Sequence, residues 1–411
     1  MEQGQQRTDH LAVTGYLGRR VHLGVTGSVA AFKTLGLARR ILTTGAHVTV
    51  TLTPAGLQFV TPLSFEALGA SPVRSEMFSP ESARFAHLEP AQEADCMAIV
   101  PASADFMARL SLGLADDLLA CQALAFEGPM LLAPAMNPRL WRAAPTQEHL
   151  KRLLDRGVHA VLPDFGLMAC GETGQGRLAR EEAIFAAIMR SVTPQDLLGK
   201  RVLVSLGPTR EYFDAARFWS NPSTGAMGAC LAFCAWLRGA SVTVVSGPVS
   251  WWFPEDIQVL SVTTAAEMYA ACLDAWPHMD VGVMAAAVAD FSPEPYAGSG
   301  KFSKTGAHGP LELAFTPTRD ILLAMGESKH AGQRLVGFCA QTDHLEAHAA
   351  EKLQRKKCDL IVANPIGQPQ AGFAAPTNEA FVLDRNGHRE TWPVLPKTEM
   401  AWKIWDCLNR L

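Results

Sequence analysis

The short run Gly45-Ala-His-Val-Thr-Val50 returns later in the chain as Gly239-Ala-Ser-Val-Thr-Val244. What precedes each copy constrains the fold more than the letters do. Val21-His-Leu-Gly-Val25 has strand character, breaks at Thr26-Gly27-Ser28, and leads into a segment of helical composition from Ala30 to Thr44. Arg201-Val-Leu-Val-Ser205 likewise breaks at Gly207-Pro208-Thr209, and after a longer loop a helix is expected from about Ala226 to Arg238. In both cases a Gly ends the helix and a Val-rich strand follows. Strand, glycine turn, helix, Gly stop and strand together make a right-handed βαβ unit, whose first turn opens on the crevice where α/β proteins bind ligands. The expected fold class is therefore α/β, with two doubly wound, mostly parallel, Rossmann-like sheets. Helical periodicity fades across Ser191-Val-Thr-Pro-Gln-Asp-Leu-Leu-Gly199, which sets the domains at 20–190 and 199–411.

Further strands are expected at Cys96 to Pro101, Met130 to Ala133 and Val158 to Leu162 in the first half. In the second half they fall at Asp280 to Ala285, Arg334 to Cys339 and Asp359 to Ala363, with a hairpin turn at Asp384-Arg-Asn-Gly387. A chain of 411 residues, 48% hydrophobic and 18% charged, can fill two cores. Its formal net charge of -4 supplies no field to hold nucleic acid, so phosphate binding must come from local features. The longest apolar stretch, Val281 to Ala289, is too short for a membrane helix, which needs roughly 20 residues. Met1 to Arg20 is polar and reads as a loose leader rather than a targeting segment, so the expected location is cytoplasmic, away from membranes. Nine cysteines without a Cys-x-x-Cys pair argue against a disulfide framework. Cys230 and Cys234 read as small buried hydrophobes and His344 to His348 as a solvated helix face, which leaves metal ligands unassigned.

Neither opening turn has the Gly-x-Gly-x-x-Gly spacing of dinucleotide folds. Gly27 and Ser28 nevertheless lead into a helix start, where free N–H groups and the dipole favour an anion by roughly 0.3 to 2 kcal/mol. A mononucleotide such as FMN suits that turn better than NAD. Four more loops carry reactive side chains: Ala86-His87-Leu88-Glu89, Pro101-Ala-Ser103-Ala-Asp105, Pro134-Ala-Met-Asn137-Pro138 and Ala169-Cys170-Gly-Glu-Thr-Gly-Gln-Gly-Arg177. The last has the glycine content of a mobile lid. Taken singly, His87 also fits a capping role and Asn137 a turn role.

In order and spacing, these loops from Val21 to about Met189 resemble the flavin-dependent cysteine decarboxylases, in particular phosphopantothenoylcysteine decarboxylase. The resemblance implies a flavodoxin-like flavoprotein with bound FMN. The substrate thiol is oxidised to a thioaldehyde, carbon dioxide leaves, and the resulting ene-thiolate is reduced and protonated. It further implies Cys170 as proton donor, Asn137 as anchor of the substrate carboxylate and His87 as the group orienting the thiol. Flavin contacts are expected from Gly27, Ser28, Thr53 and Ser103.

The second half carries Arg217-Phe-Trp-Ser-Asn221-Pro-Ser-Thr-Gly225 before a helix, Ala285-Ala-Ala-Val-Ala-Asp290 at a strand end, and Lys301-Phe-Ser-Lys304 in a Gly-rich loop. Lys352, Arg355, Lys356 and Lys357 form a run that reads first as a solvated face. This half resembles phosphopantothenate–cysteine ligase, in which CTP with Mg2+ activates the carboxylate of 4′-phosphopantothenate as an acyl-cytidylate that cysteine then attacks. The resemblance implies that Asn221 binds the acyl-cytidylate. It assigns nucleotide contacts to Ala285, Ala286, Ala287, Asp290, Lys301, Thr318, Arg319, Asp320, Ile321, Phe338, Lys352 and Lys356, and it implies a homo-oligomer. Two positions depart from the ligase pattern. Ala226 stands where that family has Lys, and Pro365 where it has Asp after Ala363-Asn364. Three readings stay open: a bifunctional enzyme, a flavin decarboxylase with a degraded ligase half, and a flavin-binding regulatory protein without catalysis.

Overall fold

The computed structural model describes residues 6–78, 85–89, 93–297, 300–303, 311–341, 344–365 and 375–411. Lys304 lies outside them. The chain divides into two compact units, one of residues 14–193 and one of residues 194–411 joined by residues 1–13.

In the first unit the strands are β1 (Arg20–Val25), β2 (His47–Leu52), β3 (Val73–Arg74), β4 (Cys96–Ala102), β5 (Met130–Pro134) and β6 (His159–Ala160). They form one sheet in the order β3-β2-β1-β4-β5-β6, every neighbouring pair parallel. Parallel strands covered on both faces read as continuous apolar runs, and Cys96–Ala102 is buried at every position. The strand order reverses between β1 and β4, which opens the crevice at their carboxyl ends. A separate antiparallel hairpin, β7 (Asp164–Leu167) and β8 (Thr173–Arg177), follows. The glycine-rich loop expected as a mobile lid is therefore half strand, since Gly174 and Gly176 serve close packing rather than freedom. A Cβ on Gly176, whose φ is +151°, would lie 2.3 Å from the carbonyl oxygen of Met136.

In the second unit the strands are β9 (Arg201–Leu206), β10 (Glu211–Tyr212), β11 (Phe218–Trp219), β12 (Ser241–Ser246), β13 (Gln258–Ser261), β14 (Val281–Met284), β15 (Phe291–Pro293), β16 (Phe315–Pro317), β17 (Arg334–Gln341), β18 (Leu360–Pro365), β19 (Thr377–Asp384) and β20 (Arg389–Pro396). Eight of them make a sheet in the order β13-β12-β9-β14-β17-β18-β19-β20. The first six repeat the order of the first unit and are parallel, while β19 and β20 extend the edge antiparallel. The helix Ala226–Leu237 is apolar on nearly all sides because it lies between this sheet and the C-terminal helix Lys397–Asn409. Gly228 allows its close approach, for a Cβ there would sit 2.4 Å from Cβ of Leu206. Burial pushes the Cys230 thiol up to about 12, which agrees with an inert hydrophobe.

The polar leader is not loose throughout. His10 and Leu11 are both 1% exposed, and the His10 ring packs edge-on against Phe233 and Trp251. Arg7 stacks over Trp251 at 4.6 Å. Polarity concealed this docking, because a cation can bury its stem against an indole while its head stays wet.

Arg238 closes the same helix, with Nε donating to Asp196 at 2.8 Å and Nη1 donating to Asp406 at 2.7 Å. It is 4% exposed, whereas both carboxylates keep water. Arg238→Met should destabilise this unit by roughly 2–3 kcal/mol, read from denaturant midpoints at neutral pH. The Arg238 hydrogen bond, opposed by burial, holds Asp196 below the ordinary carboxylate range. A depressed pKa contributes stability above the ordinary value of about 3.9 and loses it as pH falls through the lowered one. The variant should therefore show a shallower acid limb than the wild type.

Candidate functional sites

In the first unit three expected flavin loops converge at the carboxyl ends of β2, β1 and β4. The Thr26 hydroxyl donates to Pro101 O at 2.7 Å and accepts the Ser103 N–H at 2.9 Å, fastening the first turn to the loop after β4. Gly27 gives the turn its close approach, since a Cβ there would come within 2.6 Å of Ala55 Cβ. Ser28 caps a short helical turn, accepting the Ala30 N–H at 3.3 Å. Ser103 caps the helix Ala104–Leu112 by accepting the Phe106 N–H at 3.2 Å, which leaves its own proton to donate. Thr53 differs. Its hydroxyl donates to Val25 O at 3.4 Å and accepts from Gly56 N at 3.1 Å, so it holds the turn together from a buried position.

Asn137 follows β5 and caps the helix Pro138–Arg142, with Oδ1 accepting the Arg139 N–H at 2.8 Å. Its Nδ2 lies 3.4 Å from Cys170 Sγ and donates to Glu172 Oε2 at 3.2 Å. The hairpin makes this meeting possible, because the Met136 N–H donates to Gly176 O and draws β8 over the loop that carries Asn137. Cys170 is exposed at the hairpin tip. Glu172 also pairs with Arg139 at 2.7 Å. Glu172 lies in the loop singled out for Cys170 and Arg139 in the helix just after the one singled out for Asn137, and neither carries a motif that would mark it as a partner. His87 sits in a separate turn, half-buried, and no hydrogen bond joins it to Asn137 or Cys170 among the described residues.

In the second unit a cavity of about 520 Å3 opens at the carboxyl ends of β9 and β14, where the strand order reverses. That volume suits a small organic ligand. Its lining includes Asn221, Ala285, Ala286, Ala287, Asp290, Thr318, Arg319, Asp320, Ile321, Phe338, Lys352 and Lys356. Lys301 does not line it but lies exposed beside Phe302, whose N–H donates to Asp214 at 3.0 Å. Asn221 Nδ2 donates to Ala287 O at 3.2 Å and Val288 O at 3.0 Å, so the loop before the helix is tied to the end of β14. Ser205 accepts the Ala286 N–H at 3.2 Å, and the Thr318 hydroxyl donates to Ala289 O at 2.7 Å. Together these bonds fix a rim of backbone around the opening.

Cations line one wall. Lys352 Nζ donates to Phe338 O at 2.6 Å, and Lys356 pairs with Asp320. Burial raises the pKa of Asp320, but the Lys356 ammonium and the Leu323 N–H outweigh it and hold the carboxyl below its ordinary range. The solvated-face reading of this run fails at Lys356, which is 5% exposed, because the helix Leu345–Arg355 ends just before it and turns it inward. Ala226 lines the same cavity, so Lys352, Arg355 and Lys356 supply positive charge that the helix start lacks. Sequence reading did not find Asn364, Asn378 or Lys397 in this lining. They stand on β18, on β19 and at a helix start; Asn364 lies in the Ala-Asn pattern noted above without a role attached to it, and no motif marks the other two. Among the described residues no cluster of three or more His, Cys, Asp or Glu could hold a metal ion.

Comparison with known proteins fits this geometry. Residues 14–193 match the family described as Flavoprotein, and residues 197–411 match the family described as DNA/pantothenate metabolism flavoprotein C-terminal domain. The coenzyme A biosynthesis bifunctional protein CoaBC of Haemophilus influenzae is 38% identical over 386 residues, covering 93% of this chain and 95% of that protein. The crystal structure of the C-terminal domain of a coenzyme A biosynthesis bifunctional protein CoaBC shares 32% identity. It covers 53% of this chain and 97% of that one, with a TM-score of 0.44. A PPC decarboxylase mutant complexed with pantothenoylaminoethenethiol shares 30% identity, covering 41% and 96% respectively with a TM-score of 0.37.

Proposed function

We propose, from the chain's membership of the bifunctional coenzyme A biosynthesis proteins, how its residues divide that family's work. The chain is a bifunctional enzyme of coenzyme A biosynthesis, with a flavoprotein decarboxylase half and a ligase half. In the finer reading, the ligase joins cysteine to 4′-phosphopantothenate at the expense of CTP. The decarboxylase then converts phosphopantothenoylcysteine to 4′-phosphopantetheine with FMN. The domains are 20–190 and 199–411.

In the ligase half, a carboxylate oxygen attacks the α-phosphorus of CTP and pyrophosphate leaves. The cysteine amine then attacks the acyl carbon, the C–O bond to CMP breaks, and the amine proton passes to water. Activation is needed because oxide is a poor leaving group, whereas CMP is a good one. Lys352 and Lys356 neutralise phosphate charge, Asp290 and the Thr318 to Ile321 loop hold the nucleotide, Ala285 to Ala287 and Phe338 flank its base, and Asn221 holds the acyl-cytidylate. Lys301 adds a contact from its exposed segment. Magnesium would come with the triphosphate, keeping several waters and needing few protein ligands.

In the decarboxylase half, Gly27, Ser28 and Ser103 would hold FMN, with Thr53 bracing the turn. When bound, FMN would supply the two-electron oxidation of the substrate thiol and the matching reduction. Asn137 donates to the substrate carboxylate, His87 orients the thiol, and Cys170 delivers a proton to carbon. The tight approach at Gly27 and the free Ser103 proton fit such a group. No helix among the described residues is long and apolar enough to cross a membrane, and a cytoplasmic homo-oligomer is the working form we propose.

The observation that carries the reading is the convergence of eleven of the twelve nucleotide positions, together with Asn221, on one cavity. Purified protein given CTP, cysteine and phosphopantothenate should release pyrophosphate and carbon dioxide. Carbon dioxide from supplied phosphopantothenoylcysteine, with no pyrophosphate from CTP, would favour the degraded-ligase reading.

A further inference from the structure

Three polar side chains of the cavity have no part in the mechanism above. Asn364, Asn378 and Lys397 line it yet are only 6%, 6% and 5% exposed. They stand on neighbouring elements, since β18 pairs with β19 as far as Ala363 and Phe381, and β19 pairs with β20 up to Thr377 and Pro396, the residue before Lys397. Asn364 stands opposite Ala340, Asn378 opposite Leu395, and Lys397 begins the C-terminal helix with its N–H donating to Pro376 O at 3.3 Å. Asn364 Nδ2 and Asn378 Oδ1 are buried without a hydrogen-bond partner among the described residues. Folded proteins seldom tolerate a single orphan of this kind, and a donor and an acceptor orphaned on one wall form a recognition pattern.

We propose that Asn364, Asn378 and Lys397 form the seat of the amino-acid co-substrate, an inference that rests on the ligase reading. An α-amino acid offers a carboxylate, which accepts from Asn364 Nδ2 and the Lys397 ammonium, and an amine, which donates one N–H to Asn378 Oδ1. Held by that single N–H, the amine keeps its lone pair for the acyl carbon. Met227 and Cys339 line the same cavity and provide soft apolar surface for a thiol side chain. A nucleobase edge could also satisfy a donor and an acceptor, but it carries no carboxylate for the wall that holds Asn364 and Lys397.

The test uses isosteric changes on the full chain. Asn364→Asp replaces a donor with an anion facing the substrate carboxylate and should raise the cysteine KM about 30-fold or more. Asn378→Leu keeps much of the shape but removes the acceptor for the amine and should raise it about tenfold. The KM for CTP should rise far less than the KM for cysteine in both. Cysteamine, which lacks the carboxylate, should be a poor substrate for the wild type and lose no further ground in Asn364→Asp. A rise in the CTP KM with the cysteine KM unmoved would overturn the seat and assign this wall to the nucleotide. Equal losses for cysteine and cysteamine in Asn364→Asp would also overturn it. Calorimetric binding of cysteine to the wild type and to Asn364→Asp separates this proposal from its premise. Absence of pyrophosphate release in the wild type would defeat the ligase reading, whereas binding that survives in Asn364→Asp would defeat the seat.

Discussion

Cys170→Ser should lower formation of 4′-phosphopantetheine from phosphopantothenoylcysteine by about 10²–10⁴-fold while the protein stays yellow. A hydroxyl can take the place of the thiol but is a far weaker acid. Cys170 is exposed at the tip of the β7–β8 hairpin and touches only Asn137 among the groups assigned to the reaction, so its replacement leaves the flavin turns intact. Carbon dioxide should still appear in a single turnover, because loss of the carboxylate precedes the protonation proposed for Cys170. Product should not. Wild-type turnover in this variant would remove Cys170 as the acid and transfer that role to another donor, with Glu172 the nearest candidate through Asn137.

Sequence reading located the strands well where they are buried on both faces. β1, β4, β9 and β14 are short runs buried at nearly every position, and the glycine turns after β1 and β9 announced the crevice. The hairpin β7–β8 was hidden because its strand glycines look like freedom in a sequence, while their use is to admit the backbone of Met136. β13 was missed for a related reason, since Gln258–Ser261 is a mostly exposed edge strand without an apolar alternation. The docking of residues 7–11 could not be read either. His10 owes its burial to Trp251 and Phe233, and Arg7 its stacking to Trp251, all remote in sequence. Site residues followed the same rule. Most residues that line the second unit's cavity stand in loops that a sequence marks, whereas Asn378 and Lys397 reach it only through the pairing of β19 with β20 and the helix that follows.

Asn221→Asp should cut the ligase kcat/KM by about 10²–10³-fold and leave decarboxylation of supplied phosphopantothenoylcysteine unchanged. The wild-type amide donates to the carbonyls of Ala287 and Val288, at 3.2 and 3.0 Å, and so fixes the loop before the helix against the end of β14. A carboxylate of the same shape has no proton to give. It would set its own oxygens against two carbonyls and add negative charge to the cavity proposed for the nucleotide, beside Asp290 and Asp320. Loss of the bond costs order in the rim, and the added charge costs binding of CTP, so kcat should fall and the CTP KM rise together. The cavity mouth is partly open to water, which spares the fold the full penalty of a buried carboxylate, and the melting temperature should move by only a few degrees. Higher salt should recover part of the KM effect by screening, but none of the kcat effect, since donors lost from the rim are not returned by ions. Pyrophosphate release within about threefold of wild type would show that Asn221 is a loop tether alone and would move the acyl-cytidylate contact to the backbone of residues 285–288.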